Sequence, residues 1–285
     1  MDGNKKFNRY KQIKRELSYN YRGYPIEKVI ALDLIVYVYV KRTYNLKRLL
    51  SFLFKGTLRI YCRTLNLEKL KYHEPEKTLF SMGIYKRSDY YEIWHYAKSH
   101  VESVLSFDFS QQEYRTKISF KNIKLAWKII SRTKKLGWKE KYRLAAKITY
   151  YLNIIDDLEE ISPVAAKYCS FSSVHEHETI LTVYFQKKGI PTYSLQHGLY
   201  TVYNKNIPLD AILYDNLVSD YHLCWGQVTK DEFSAYGINS KSLIVTGYAR
   251  KVNRPPVPGA PNKKSCLLLL ARYSYHEANE HLFRI

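Results

Sequence analysis

Cysteine is sparse in this chain. It occurs at four positions, Cys62, Cys169, Cys224 and Cys266, with no C-x-x-C pair and no patterned histidine beside any of them. That spacing argues against a structural zinc site and against a disulfide framework. It fits a reducing, cytosolic compartment. Cys169 and Cys224 stand in apolar, strand-like runs, where a free cysteine behaves as a small hydrophobe. Long apolar runs are also missing. The most apolar early stretch, residues 29–40, contains Asp33 and falls short of the ~20 residues that span a bilayer. Residues 1–28 are polar and basic and do not read as a signal peptide.

Acidic residues are few. Against 26 Asp and Glu stand 46 Lys and Arg, a net charge of +20. Such a balance attracts anions: nucleic acid, acidic head groups or phosphorylated small molecules. Residues 1–75 hold 17 Lys and Arg against 6 Asp and Glu. This segment reads as basic and mainly helical, with one buried helix or strand expected over 26–40 and a helix over 45–63. Its plain reading is a helical hairpin packed on the domain, and its sharper reading is a surface for an anionic membrane. Nucleic acid fits less well, because no RNP, zinc-finger or helix-turn-helix signature accompanies the charge.

What is present is ample. The chain has 285 residues, 46% of them hydrophobic, with 28 tyrosines. That is enough to bury a substantial core.

From residue 76 onward the pattern alternates strand and helix. Residues 78–83 read as a strand ending at Gly83, followed by a helix opening at Ser88 or Asp89. Asp89 and Glu92 have capping-box spacing, and Ile93, Ala97, Val101 and Val104 line one face. Two helices follow, over 122–136 and 139–158, split at Gly137. The acidic run 156–160 at the end of the second reads as a solvated helix end. Residues 165–171 read as a strand. Ser173 and Glu176 suggest a second capping box, opening a helix over 174–188. His175 and His177 in its first turn point to different faces and are a poor metal pair. Residues 191–195 then form a short strand after the helix stop at Gly189. Residues 221–226, a helix with a third box at Thr229 and Glu232, and the strand 242–246 complete the series.

Three successive β-α units argue for a parallel sheet flanked by helices. In such sheets ligands bind beyond the carboxyl ends of the strands. The tip Gln196-His197-Gly198 therefore stands out, with His197 as the first candidate. Gly198 permits close backbone approach, and Gln196 can orient the ring or bond a hydroxyl. Residues 252–264, with Pro255, Pro256, Pro258 and Pro261, read as a linker. Residues 265–285 begin a further strand and helix.

The runs GIPTYSLQHGLY, SDYHLCWGQVTKDEFSAYGI and SLIVTGYAR resemble the bacterial capsule and surface-polysaccharide glycosyltransferases of the GT-B fold. Their order is also similar to that of CDP-glycerol glycerophosphotransferases and polysialyltransferase-like enzymes. The resemblance spans residues 78–285 and is best over 165–250.

It implies a Rossmann-like acceptor-side domain over 76–251, the N-terminal half of a GT-B fold. The linker would lead to a nucleotide-binding domain of which only the start, 265–285, is present. It also implies transfer of a sugar from a nucleotide-sugar donor to a polysaccharide or lipid-linked glycan acceptor, with no metal cofactor. The absence of a DxD motif near a strand end agrees. The setting would be cytoplasmic, at the inner membrane face. His197 would act at the cleft as base or charge stabiliser, with Gln196 and Gly198 shaping the tip. Gly247 and Arg250 would line the same cleft, and Gly83, Arg87 and Asp89 would lie near the acceptor. A non-catalytic scaffold of the polysaccharide machinery is the alternative.

Overall fold

Apolar residues at alternate positions build a sheet that is buried on both faces near its centre. The computed structural model describes residues 3–39, 56–71, 73–198 and 214–250. In chain order these hold α1 (Gly3–Glu16), β1 (Asn20–Tyr21), β2 (Tyr24–Pro25), α2 (Ile26–Val29), α3 (Ala31–Tyr39) and α4 (Thr57–Tyr61). Then come β3 (Arg63–Leu65), β4 (His73–Met82), α5 (Ser88–Lys98), β5 (Val104–Asp108) and β6 (Tyr114–Thr116). The series ends with α6 (Phe120–Ile130), α7 (Trp138–Ile161), β7 (Val164–Ser170), α8 (Glu176–Lys187), β8 (Thr192–Leu195), β9 (Tyr221–Cys224), α9 (Gln227–Ala235) and β10 (Leu243–Val245).

Six of the described strands form one sheet in the order β10-β9-β8-β7-β4-β5, and every neighbouring pair is parallel. The chain is therefore an α/β protein with a parallel sheet flanked by helices. Strands β1 and β2 form a small antiparallel hairpin, and β3 pairs antiparallel with β6.

Burial follows the alternation. Leu79 and Tyr168 face a core built with Leu144, Ile148 and Ile155 of α7 and Ile180, Leu181 and Tyr184 of α8. Phe80, Met82, Cys169, Phe171 and Leu195 face the other way, against Ile93 and Trp94 of α5. On the α8 side, Cys224 and Leu243 pack with Phe233 of α9 and with Tyr214. Burial pushes the Cys224 thiol up to about 11 and raises that of Cys169 as well, so both behave as apolar core groups.

The described part of residues 1–75 contributes to the same core. Phe7, Tyr10, Ile13 and Leu17 are buried with the α7 and α8 side chains, so the apolar stripe of α1 faces inward. Helices α2 and α3 match the helical alternative for 26–40. Most of the helix expected over 45–63 lies outside the described residues.

Several local expectations are corrected. Val104 does not continue the α5 face; it opens the edge strand β5, and α5 stops at Lys98. None of the three expected capping boxes forms. Asp89 and Thr229 lie inside their helices, which are entered from Arg87 and Gly226 without a side-chain cap. Ser173 uses its hydroxyl on Ser219, and α8 starts at Glu176. Capping bonds occur elsewhere: Ser119 Oγ accepts from Asn122 N–H, and Glu140 accepts from Gly137 N–H. Helix α6 ends at Ile130, short of 136.

The acidic run is not a solvated end. Asp157 is buried and accepts from Lys117 Nζ at 2.6 Å, Thr64 Oγ1 at 2.7 Å and Arg115 at 2.9 Å. Asp156 takes Tyr21 Oη and Asn122 Nδ2, and Glu159 takes Tyr24 Oη and Lys187 Nζ. The run therefore ties α7 to the N-terminal hairpin and to β3.

The chain divides into two units, Met1–Arg250 and Lys251–Ile285. The Pro-rich linker and the strand and helix expected over 265–285 lie outside the described residues. No helix among the described residues is long and apolar enough to cross a membrane.

Candidate active site at the carboxyl ends of the central strands

The connections diverge between β4 and β7. From β4 the chain crosses by α5 to β5 at one edge, on the Ile93–Trp94 face. It returns by α6 and α7 on the opposite face to β7, then steps outward through β8, β9 and β10. Helices leaving on opposite faces open a crevice beyond the carboxyl ends of β4 and β7, the topological switch point of the sheet.

A buried polar row underlies that crevice. Ser81, Ser170, Ser194 and His222 sit side by side in register on β4, β7, β8 and β9. Ser81 Oγ donates to Glu178 at 2.7 Å, and Ser194 Oγ accepts from Ser173 N–H at 3.0 Å. The row thus anchors the turn that follows β7.

Glu178, in the first turn of α8, is fully buried. Its carboxylate accepts from Phe171 N–H at 2.7 Å and Ser172 N–H at 3.2 Å, besides Ser81. It also faces His175 Nδ1 at 3.2 Å. A carboxylate on Nδ1 holds the imidazole in one orientation and favours the tautomer with its proton there. Nε2 is then the nitrogen turned away from the carboxylate. The ring packs against Tyr85, tilted by 48° with centroids 4.7 Å apart. Gly83, just past β4, lies under this pair: a Cβ there would stand 2.7 Å from His175 Nδ1 and 2.9 Å from Glu178 Oε2.

His197 stands beyond β8, partly exposed, in a ring-walled recess. Phe171 lies 4.9 Å away, Tyr90 5.3 Å and His175 5.9 Å between ring centroids. Desolvation, with the nearby His175, pushes its pKa down to about 3, against a hydrogen bond to the Leu195 main chain that pulls the other way. His197 is therefore neutral at physiological pH.

Arg87 lies over the Tyr90 ring at 4.1 Å and donates to its hydroxyl at 3.1 Å. Asp89 pairs with the same guanidinium at 3.0 Å and is held below the usual carboxylate range by it. Arg250 pairs with Glu92 of α5 and reaches Tyr248 Oη at 3.5 Å. The Gly247 loop, with Gly247 at φ 90°, is thereby brought against the helix that carries Arg87 and Asp89.

Gln196 is buried. Its Oε1 accepts from Trp225 N–H at 2.6 Å and its Nε2 donates to the Gly198 carbonyl at 2.8 Å. It shapes the tip by tying β8 to β9. The residues singled out from the sequence thus gather in two places, Gly83 beneath His175 and the rest around His197 and the start of α5.

One further group flanks the crevice. Glu176 is buried, and desolvation, aided by Asp33, pushes its carboxyl up to about 7, against the pull of Lys147. Asp33 in turn accepts from Tyr151 Oη at 2.7 Å and pairs with Lys147 at 3.3 Å. Burial, then Glu176 and Asp33, raises the Tyr85 hydroxyl.

Among the described residues no three His, Cys, Asp or Glu side chains come together to hold a metal ion. His177 points away from His175, towards Tyr150 Oη at 2.8 Å.

Sequence reasoning found His197 but missed Glu178. The signal was available as His175-x-x-Glu178 at the start of a helix directly after a strand, a spacing that puts both on one helical face. Chemically the crevice offers a carboxylate-backed imidazole, a neutral second imidazole and a nearby guanidinium. Such a set can accept a proton from a hydroxyl and counter a developing negative charge. No family model, no curated protein and no solved structure matches this chain.

Proposed function

We propose that the chain is the acceptor-side part of a nucleotide-sugar-dependent glycosyltransferase of GT-B type. It would act on a polysaccharide or lipid-linked glycan of the bacterial surface, in the cytoplasm at the inner membrane face. The observation that carries the reading is the Glu178–His175 pair at the switch-point crevice, with neutral His197 5.9 Å away. The resemblance of the runs around Gln196-His197-Gly198 supports it.

In this reading the acceptor hydroxyl lies between the two imidazoles. Its oxygen attacks the anomeric carbon of the donor sugar, and the bond from that carbon to the nucleotide diphosphate breaks. The proton passes to His175 Nε2, and Glu178 stabilises the imidazolium that forms. His197, so resistant to protonation, serves as a neutral hydrogen-bonding partner of the hydroxyl. Arg87 and Arg250 supply positive charge towards the anionic leaving group. No metal is required of these residues, because the guanidinium groups serve the leaving phosphate.

The test is turnover of a panel of UDP-, CMP- and CDP-sugars by the full chain, with oligosaccharide acceptors, scored as nucleotide release. His175→Ala is expected to lower turnover by about 100-fold or more, the usual worth of a positioned proton acceptor, and His197→Ala to lower it as well, both with circular dichroism unchanged. Wild-type turnover in both variants would overturn the proposal. Acceptor binding with no turnover of any donor would favour a non-catalytic scaffold instead.

A further inference from the structure

The hairpin of α6 and α7 carries a surface that neither the core nor the crevice uses. Helix α6 buries Asn122, Ala126, Ile129 and Ile130. Its opposite face shows Phe120, Lys121, Lys124, Trp127 and Lys128 to solvent. Phe120 is 81% exposed and Trp127 40%. Seven residues separate them, about two turns, so they lie on one line of the helix roughly 10 Å apart. Trp138, 67% exposed, opens α7. One turn further on, Tyr142 meets Trp127 at 6.3 Å between ring centroids, so Trp138 extends the same patch.

The charge of this stretch is one-sided. Residues 118–141 contain 8 Lys and Arg and one acidic residue, Glu140, whose carboxylate is taken by the Gly137 N–H at the start of α7. Lys121, Lys124, Lys128, Lys134, Lys135 and Lys139 are exposed.

Exposed tryptophan and phenylalanine cost solvation unless something covers them. Each ring here is flanked by lysines whose stems can lie along apolar surface while the ammonium reaches out. Aromatic rings at head-group depth, with lysines on anionic lipid, match the chemistry of a membrane interface. The face is the outside of a helix. Single-stranded nucleic acid is bound in basic grooves instead.

We propose that the α6–α7 face docks on an anionic lipid surface. The site is distinct from α1, whose apolar stripe is spent in the core. The proposal does not depend on the glycosyltransferase reading.

Co-sedimentation of the full chain with vesicles tests it. Vesicles of phosphatidylcholine mixed with phosphatidylglycerol are expected to bind the chain; phosphatidylcholine alone is not. Binding should weaken with added salt. A variant combining Phe120→Ser, Trp127→Ser and Trp138→Ser should bind about tenfold more weakly or worse. A second, combining Lys121→Glu, Lys124→Glu and Lys128→Glu, should lose binding. The lysine variant should melt like the wild type, because its changed side chains are exposed, and circular dichroism checks the fold of the aromatic variant, in which Trp127 loses its contact with Tyr142.

Absence of vesicle binding by the wild type would overturn the proposal, as would binding that neither variant weakens. So would a chain that ignores vesicles yet binds single-stranded RNA, or forms a dimer, through these same residues.

Discussion

Gly83 and His175 are in contact by design of the backbone: a Cβ on Gly83 would stand 2.7 Å from the His175 ring nitrogen. No real Cβ sits that close to a ring, and the obstacle is the buried His175–Glu178 pair rather than a flexible chain end. Gly83→Ala is therefore expected to displace the imidazole. Overpacking of this kind costs about 1–3 kcal/mol, readable by urea denaturation. Turnover should fall with it. A variant as stable and as active as the wild type would show that the pair has room to move.

Glu178→Ala removes the acceptor for two main-chain N–H groups and the Ser81 hydroxyl. Leaving several buried donors unsatisfied is expected to cost about 3 kcal/mol or more. Glu178→Gln keeps the volume and a carbonyl acceptor and should lose less stability. It should still lose turnover, because an amide cannot stabilise an imidazolium as a carboxylate does. Equal turnover in the wild type and Glu178→Gln would remove the carboxylate from the chemistry.

Asp157→Ala is expected to destabilise by about 1–3 kcal/mol, since it leaves the buried Thr64 hydroxyl without its acceptor. Asp157→Asn should cost less, as it still offers an oxygen to Thr64. Denaturation midpoints for the two decide the matter. A neutral outcome for Asp157→Ala would return the acidic run to the role of a solvated end.

Acid should weaken the fold. His177 is pushed down to about 3 and His222 to about 4, both by burial. The unfolded chain takes up these protons near pH 6.5, and the folded chain does so only far below. Their contribution is complete above about pH 6.5 and is lost as the pH falls towards the folded values. Glu176, pushed up to about 7, works in the opposite sense: its contribution is present below about pH 4.5 and is lost as the pH rises towards 7. With His197, three histidines stand against one carboxyl, so stability is expected to fall as the pH drops from 6.5 to 4.5. Urea melts at pH 6.5 and 5 measure the slope, and greater stability at the lower pH would contradict the assignment.

His222 also invites a direct substitution. Both of its ring nitrogens are buried with no hydrogen-bond partner among the described residues, and the ring packs on Phe233 at 4.9 Å. His222→Phe is expected to stabilise by about 1–2 kcal/mol by removing unsatisfied polar atoms, and to flatten the pH slope. A destabilised variant with an unchanged slope would show that the ring nitrogens have a partner.

Much of the sheet was legible in the residues, for a physical reason. Strands β7, β8, β9 and β10 and the second half of β4 are short, mainly apolar runs that lead into glycine or polar residues, and the helices between them carry an apolar stripe; the charged first half of β4, from His73, was not legible. Strand β5 was not legible. Val104 falls on the same helical spacing as Ile93, Ala97 and Val101, so the period alone continued the helix across Ser99 and His100. His197 could be found because a strand end followed by glycine is a local feature. Glu178 could not be found in the same way. A glutamate in a first helical turn reads as a solvated partner of the helix dipole, and only the stacking of β4 against β7 brings Ser81, Phe171 and Ser172 around it. The same holds for Asp157, whose partners lie on β3, on β6 and just after β6. The boxes at Asp89 and Thr229 failed because the S/T/D-x-x-E spacing also occurs within a first helical turn, and the box at Ser173 failed because α8 starts three residues later, at Glu176.

The central claim is that the crevice holding His175 and His197 is where the acceptor binds and reacts. Imidazole resonances of the full chain, labelled at histidine, report this directly during titration with the panel of nucleotide sugars and oligosaccharide acceptors. The account predicts that a bound ligand shifts His175 and His197 and leaves His177 and His222, which lie in the core, in place. Binding that leaves His175 and His197 unmoved would contradict it.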